Sequence, residues 1–470
     1  MSQKKVNLYR NIQLSICSML VMFAPVISSS QNETYVHESN LTNGLKVIVK
    51  EDHRSPTVAH MVWYRAGSID ETYGTTGVAH VLEHMMFKGT HKMGPGEFSK
   101  QVAALGGREN AFTNNDYTAY FQQIEKSHLE EVMRLEADRM QNLSLSEDEF
   151  KKEIKVVMEE RRLRTDDKAS GLLYEQFMAT AFNSAPNRHP VIGWMEDLKK
   201  MTYLDAQHWY QQWYTPSNAV LVIVGDVNPQ EVFTLAEKTY GKVPNKKIVE
   251  RKIQGEPEQI GIKRFQLKAP AENILVFMGW KAPKITDGNI DVIDPWALEV
   301  LGGVLDGNQN TRLNRVLVKE QRISNGVNAS YESVGRSEQL FMIYGSLLPG
   351  KSATLFETEV KKIIADIIKN GITPEELQRV KIAVTSSQIY KRDSVFGQAM
   401  EIGSAEIVGT SWKKIDLITD KIQAVTADQV RAVASRYFID DHLTVGVLDP
   451  QPIDPKKKLA NERAAANIQR

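Results

Sequence analysis

Cysteine is almost absent from this sequence. One residue among 470, Cys17, lies in an apolar segment near the amino terminus, and residues 31–470 contain none. That larger part of the chain therefore needs no disulfides, even in an oxidising compartment. It also has no thiol, which excludes a cysteine nucleophile and leaves other chemistry to be found.

Neither sign of charge is in excess, because Lys+Arg and Asp+Glu are equal at 58 each. Such a balance gives no protein-wide field that would attract nucleic acid, so we expect no nucleic-acid partner. The hydrophobic fraction of 42% and the charged fraction of 25% are typical of folded domains.

A length of 470 residues exceeds the size at which one hydrophobic core usually stops growing, which favours two domains.

The apolar stretch at residues 14–27 is too short for a membrane span, which needs roughly 20 residues. Pro25 also interrupts its end. A basic segment precedes the stretch and three serines follow it, as in a cleaved export signal. We therefore interpret residues 1–30 as a signal peptide rather than a membrane anchor. This predicts a periplasmic or secreted protein with no stable membrane span.

Local patterns predict two strands and two helices in the first half of the chain. Residues 45–50 and 57–64 are apolar or alternating, with a polar turn between them, which predicts a hairpin. Residues 78–87 change to a helical period. Residues 147–164 are a second helix, with Ser146 as its N-cap.

A helix-to-strand pattern occurs twice with identical spacing. A helix ending at Tyr214 leads to an apolar strand and then Asp226, and a helix ending at Tyr437 leads in the same way to Asp449. We therefore predict an α+β protein with two homologous α/β domains, each a mainly antiparallel sheet with helices packed on it. The predicted segments are 32–245 for the first domain, 246–261 for a linker, 262–452 for the second domain and 453–470 for a tail.

The predicted helix at 78–87 carries the sequence His80-Val-Leu-Glu83-His84. The two histidines are four residues apart and lie on one helix face, with Glu83 beside them. Two imidazoles on one face can bind one metal ion, and zinc suits imidazole and carboxylate ligands. Glu83 is placed to accept a proton from water. The order of these residues reverses the commoner His-Glu-x-x-His pattern.

The second helix offers three carboxylates as a third ligand, Glu153, Glu159 and Glu160. Glu153 and Glu160 are seven residues apart, so two helical turns bring them to nearly the same face. One of them could bind the metal while the other orients the site. The alternative is a solvated helix face with ion pairs to neighbouring lysines and arginines.

These residues together resemble the pitrilysin and insulinase-type zinc peptidases, in particular the shorter processing-peptidase-like bacterial members with two domains per chain. The resemblance covers nearly all of the chain after the signal peptide. It rests on residues 77–90 around the histidines, on residues 106–113 (Gly-Gly-Arg-Glu-Asn-Ala-Phe-Thr), and on Glu153 followed seven residues later by Glu160. It implies that Zn²⁺ is bound by His80, His84 and Glu160, with Glu83 as general base and Glu153 supporting the site from behind.

The resemblance also gives residues 110–113 a role. Asn110, Ala111, Phe112 and Thr113 would form a sheet edge on which an extended peptide adds as a further strand. Ala111 would supply backbone contacts and Phe112 part of a pocket wall, although Phe112 could instead be an ordinary core residue. The expected activity is zinc-dependent endopeptidase hydrolysis of peptides or unfolded segments. Tyr117 and Tyr120 are near in sequence but receive no role.

One departure from the family pattern concerns the second domain. The family's Leu-Arg-x₆-Tyr stretch supplies an Arg and a Tyr to the substrate, but this chain has Val318 and Asn325 at those positions. Val cannot donate hydrogen bonds and Asn is too short to replace a Tyr hydroxyl. We therefore expect a heterodimer with a homologous partner that lacks the zinc motif and supplies the Arg and Tyr. The alternatives are a homodimer, Arg322 acting from a shifted register, or a non-catalytic zinc-binding scaffold subunit.

Overall fold

The structure is a computed structural model that describes residues 36–252 and 254–454. The predicted signal peptide, residues 1–30, lies outside the described residues, as do residues 455–470 of the predicted tail. No helix within the described ranges combines the length and the apolar character needed to cross a bilayer.

A six-stranded sheet forms the first half, with the strand order β1-β2-β6-β3-β5-β4. Strand β6 pairs parallel with β2 and antiparallel with β3, so it separates them. The predicted hairpin between β2 and β3 is therefore wrong, because a strand from far along the chain is inserted between the two. The strands are β1 Val36–Asn40, β2 Lys46–Glu51, β3 Thr57–Tyr64, β4 Arg108–Thr113, β5 Thr118–Glu125 and β6 Ala219–Gly225.

A five-stranded sheet in the second half repeats this topology, with the order β7-β11-β8-β10-β9. Strand β11 pairs parallel with β7 and antiparallel with β8, as β6 does between β2 and β3. Each sheet has one parallel pair and is otherwise antiparallel, which confirms the predicted fold class and the repeat. The strands are β7 Lys263–Pro270, β8 Leu275–Ala282, β9 Ser324–Ser330, β10 Gln339–Leu347 and β11 Leu443–Gln451.

Helices cover both sheets, and their apolar faces form the cores. The predicted helices at 78–87 and 147–164 are present as α1 and α4. The helices are α1 Val78–Met85, α2 Glu97–Ala104, α3 Leu129–Asn142, α4 Glu147–Arg161, α5 Ala169–Ala181, α6 Met195–Lys200, α7 Tyr203–Trp213, α8 Pro229–Thr239, α9 Ile293–Leu305, α10 Ala353–Asn370, α11 Pro374–Arg392, α12 Val395–Val408, α13 Ile415–Ala424 and α14 Ala427–Tyr437.

In each half of the chain, one helix packs on the sheet of the other half. Helix α5 packs on β7, β8 and β11, and helix α12 packs on β3 and β6. Small residues allow this close approach: a Cβ at Gly403 of α12 would lie 2.1 Å from the Trp63 ring, and one at Gly279 of β8 would lie 2.8 Å from the Phe177 ring. The two sheets therefore share their packing, and the exact domain boundaries stay a prediction.

Candidate metal centre

Helix α1 brings His80, Glu83 and His84 to one cavity. The two imidazole rings are 4.7 Å apart between centroids, and His80 is buried while His84 is half-buried. The start of the helix is held by the buried carboxylate of Glu71, which accepts hydrogen bonds from the backbone N–H groups of Gly77 (2.8 Å) and Ala79 (2.9 Å). These bonds satisfy N–H groups that a helix leaves free at its first turn.

Helix α4 places Glu160 opposite the two imidazoles. Its carboxylate oxygens lie 3.7 Å from His80 Nε2 and 3.3 Å from His84 Nε2, and the three potential ligand atoms lie within 4.8 Å of one another. Ligand atoms about 2 Å from a tetrahedral zinc ion lie about 3.3 Å apart, so the observed separations fit such an ion. Two imidazoles and one carboxylate also leave a fourth position for water.

The three candidate carboxylates of α4 have different partners. Glu153 Oε1 accepts a hydrogen bond from His84 Nδ1 (2.9 Å), and its other oxygen contacts Lys88 Nζ at 2.5 Å. Because Nδ1 of His84 is used in this way, Nε2 is the nitrogen that faces Glu160. Glu159 is 58% exposed and pairs with Arg162. Of the three carboxylates, Glu160 therefore faces both imidazoles, Glu153 contacts His84 from its other nitrogen, and Glu159 lies in solvent.

Burial and charge set the protonation of the site. Burial lowers the pKa of His80 to about 3, which keeps its imidazole neutral and able to bind a metal. Burial opposes the charged form of His84, but the hydrogen bond to Glu153 and the charge of Glu160 outweigh it and raise the pKa of His84. Burial also raises the pKa of Glu83, against the opposing hydrogen bond from Thr113.

Strand β4 lies beside Glu83. The Thr113 hydroxyl donates to Glu83 Oε2 at 2.5 Å, which fixes the carboxylate at the end of the strand. Among the described residues β4 pairs with β5 alone, so its other edge is free. The N–H of Ala111 donates to the side-chain oxygen of Asn110 (2.9 Å). Phe112 borders the cavity, but its ring packs 5.5 Å from that of Trp63.

The cavity has a volume of about 620 Å³ and is lined by residues of α1, α4 and β4 and of the segments that follow the two helices, together with Val191 and Ile192. A second cavity of about 360 Å³ shares Thr113 and Val191 with it and is lined by residues from both halves of the chain. Open space therefore borders both Glu83 and residues 110–113 of β4.

Three contacts of this site were not predicted from the sequence. Lys88 binds Glu153, Arg164 contacts Glu160 Oε1 (2.7 Å), and Thr113 binds Glu83. Arg164 lies four residues after Glu160, a helical spacing that could have indicated its contact, whereas Lys88 follows the end of α1 and reaches Glu153 because α1 packs against α4. The two tyrosines without a role pack elsewhere: Tyr120 is buried with its hydroxyl on Tyr214, and Tyr117 packs on Trp63.

Comparison with protein families identifies the class of this chain. Residues 46–193 match the model for insulinase (peptidase family M16), and residues 200–384 match the model for the peptidase M16 inactive domain. A zinc protease of Helicobacter pylori, PqqE, is 31% identical over 442 residues, which are 93% of this chain and 98% of that protein. The chain belongs to the M16 peptidase family.

Solved structures show the same fold. The crystal structure of a protease from Helicobacter pylori has a TM-score of 0.84 and 29% identity, covering 88% of this chain and 99% of that chain. The periplasmic protease PqqL from Escherichia coli has a TM-score of 0.74 at 18% identity. That match covers 92% of this chain but 50% of PqqL, so this chain spans about half of the larger protein.

Proposed function

We propose that this protein is a zinc-dependent endopeptidase in which His80, His84 and Glu160 bind zinc. The observation that carries the proposal is the convergence of their ligand atoms within 4.8 Å, beside the half-buried carboxylate of Glu83 on the helix that holds both histidines. Glu153 would hold the tautomer and the ring orientation of His84.

A zinc ion bound there would lower the pKa of water towards neutrality and polarise a peptide carbonyl. Glu83 would take up the proton of the attacking water and pass it to the leaving amine. Burial raises the pKa of Glu83, which favours the uptake of a proton by its carboxylate. The hydroxyl of Thr113 would keep the Glu83 carboxylate aimed into the cavity.

The substrate would be an extended peptide that adds to the free edge of β4. Main-chain hydrogen bonds do not depend on side-chain identity but do require an extended chain. Peptides and unfolded segments therefore fit this edge better than folded proteins do. Without substrate, the N–H of Ala111 donates to the side-chain oxygen of Asn110. A substrate carbonyl would take the place of that oxygen as the acceptor.

Metal analysis of the purified protein tests the proposal. We expect one zinc ion per chain, lost in His80→Ala, and peptide hydrolysis that disappears with the metal and returns when zinc is added to the wild-type protein. Wild-type protein that binds no zinc, or hydrolysis unaffected by its removal, would contradict the proposal.

We further propose that the chain is exported and acts as the metal-bearing subunit of a heterodimer. Val318 packs partly buried against the second core, and Asn325 is exposed on β9. Neither side chain offers the charged donor or the phenol of the family pattern. Arg322 is exposed at a turn with positive φ. PqqL, which has about twice the length of this chain, fits the idea that two such units act together.

The test of the heterodimer compares the chain alone with the chain co-expressed with a homologous partner that lacks the zinc motif. We expect weak hydrolysis alone and a large increase with the partner. Full hydrolysis by the isolated chain, unchanged by the partner, would contradict the heterodimer and leave the zinc peptidase proposal standing.

A further inference from the structure

An ion-pair cluster joins the second half of the chain to the segments around the metal centre. The guanidinium of Arg336, which precedes β10, donates to both carboxylate oxygens of Asp70 (3.0 and 2.7 Å) and to the backbone oxygen of Asp116 (2.5 Å). The carboxylate of Asp116 accepts in return from the backbone N–H groups of Arg336 (2.9 Å) and Ser337 (3.0 Å). The Arg336 and Asp70 side chains are only 14% and 3% exposed.

From Asp70 the contacts lead to the metal-binding helix. The next residue, Glu71, bonds the N–H groups of Gly77 and Ala79 at the start of α1. His80 follows Ala79 directly, so a shift of the segment that holds Asp70 and Glu71 would move the first metal ligand.

From Asp116 the contacts lead to the substrate edge. Asp116 lies in the turn between β4 and β5, whose Asn114 and Asn115 carbonyls accept from the N–H groups of Ser68 (3.1 Å) and Ile69 (3.0 Å). A Cβ at Gly67 would lie 2.5 Å from the Asn115 oxygen, so the two segments touch through their backbones. This turn follows Thr113, the residue that holds Glu83.

We propose that Arg336 is a positioning residue for the reaction, and this inference rests on the proposed peptidase function. By bonding both Asp70 and Asp116, Arg336 sets the distance between the metal-binding helix and the edge of β4. Arg251 also donates to Asp70 (2.8 Å), but among the described residues Arg336 is the arginine that bonds both aspartates. The planar fork of arginine can serve two acceptors in fixed directions, which the point charge of lysine cannot. The half of the chain that contributes no metal ligand would thus still determine the geometry of the site.

Hydrogen exchange and kinetics on Arg336→Gln test this role. We expect the variant to keep its zinc, with at least tenfold faster amide exchange in residues 108–117. A displacement near 1 Å can cost about 100-fold in rate, so we expect kcat to fall about 10- to 100-fold with a smaller change in KM. Activity is measured in the assembly that hydrolyses peptide, with or without the partner subunit.

Arg312→Gln is the matched control. Arg312 is 9% exposed and forms a two-bond pair with Glu376 (both 2.7 Å) within the second half. We expect it to lower the melting temperature without changing exchange at residues 108–117 or kcat per folded molecule. Unchanged exchange and unchanged kcat in Arg336→Gln would overturn the inference, as would an equal effect of Arg312→Gln. A wild-type protein without hydrolysis would count against the proposed function, while the exchange result would still decide whether Arg336 holds the strand.

Discussion

Replacing Glu153 tests whether this carboxylate orients His84, one of the proposed zinc ligands. Glu153 is not one of the three groups whose ligand atoms converge; it accepts from His84 Nδ1 at 2.9 Å and contacts Lys88 at 2.5 Å. In Glu153→Ala the imidazole loses its acceptor and the charge that favours binding through Nε2. Loss of such an outer partner typically weakens metal binding 10- to 100-fold, or about 1.4–2.7 kcal/mol.

The assay is competition for zinc between the protein and a chelator of known affinity, at constant pH. Glu153→Gln keeps one acceptor oxygen but loses the charge, and its amide would meet the Lys88 ammonium, so we expect an affinity between those of wild type and Glu153→Ala. Glu159→Ala is the control, because Glu159 lies on the same helix with its charge in solvent. An affinity of Glu153→Ala equal to that of wild type would contradict the orienting role of Glu153, as would complete loss of zinc.

Two further predictions concern the ligand set and acid stability. Glu160→Gln should release zinc, while Glu159→Gln should retain it, and metal analysis of both proteins decides between them; the reverse result would show that Glu159 is the ligand. Glu256 accepts from the N–H groups of residues 183–185 and from Lys281, and although burial opposes the charged form, these bonds lower its pKa to about 2. Its contribution to stability, on the order of 1–3 kcal/mol, is therefore complete above about pH 4.5 and lost as the pH falls towards 2. Glu256→Gln should be less stable than wild type at pH 7, with a difference that shrinks in acid; a constant difference in denaturant unfolding across this range would contradict the assignment.

Local sequence patterns predicted the parts of the site that lie on one element. His80, Glu83 and His84 follow from the helical period, because four residues return to the same face. The period alone left Glu153, Glu159 and Glu160 open, since the choice depends on how α4 packs against α1. The resemblance to a family suggested Glu160, and the geometry places it at the imidazoles.

Local sequence patterns do not predict contacts between segments that are distant along the chain. The predicted hairpin failed because β6, which begins at Ala219, enters the sheet between β2 and β3. The exchange of α5 and α12 between the sheets has no local signal either, since an apolar helix face does not specify which sheet it covers. No motif distinguishes Arg336 in the sequence, because its two partners, Asp70 and Asp116, are more than 200 residues away along the chain.

The most direct test of the zinc peptidase account is Glu83→Gln, assayed for zinc and for peptide hydrolysis in the assembly in which the wild type is active. Gln retains an oxygen that can accept from Thr113, so the fold and the metal ligands should be unchanged, but it cannot take up a proton from water. We expect full zinc content and a loss of hydrolysis of about 10²–10⁴-fold. Loss of zinc from this variant, or hydrolysis at the wild-type rate, would contradict the assignment of Glu83 as the general base.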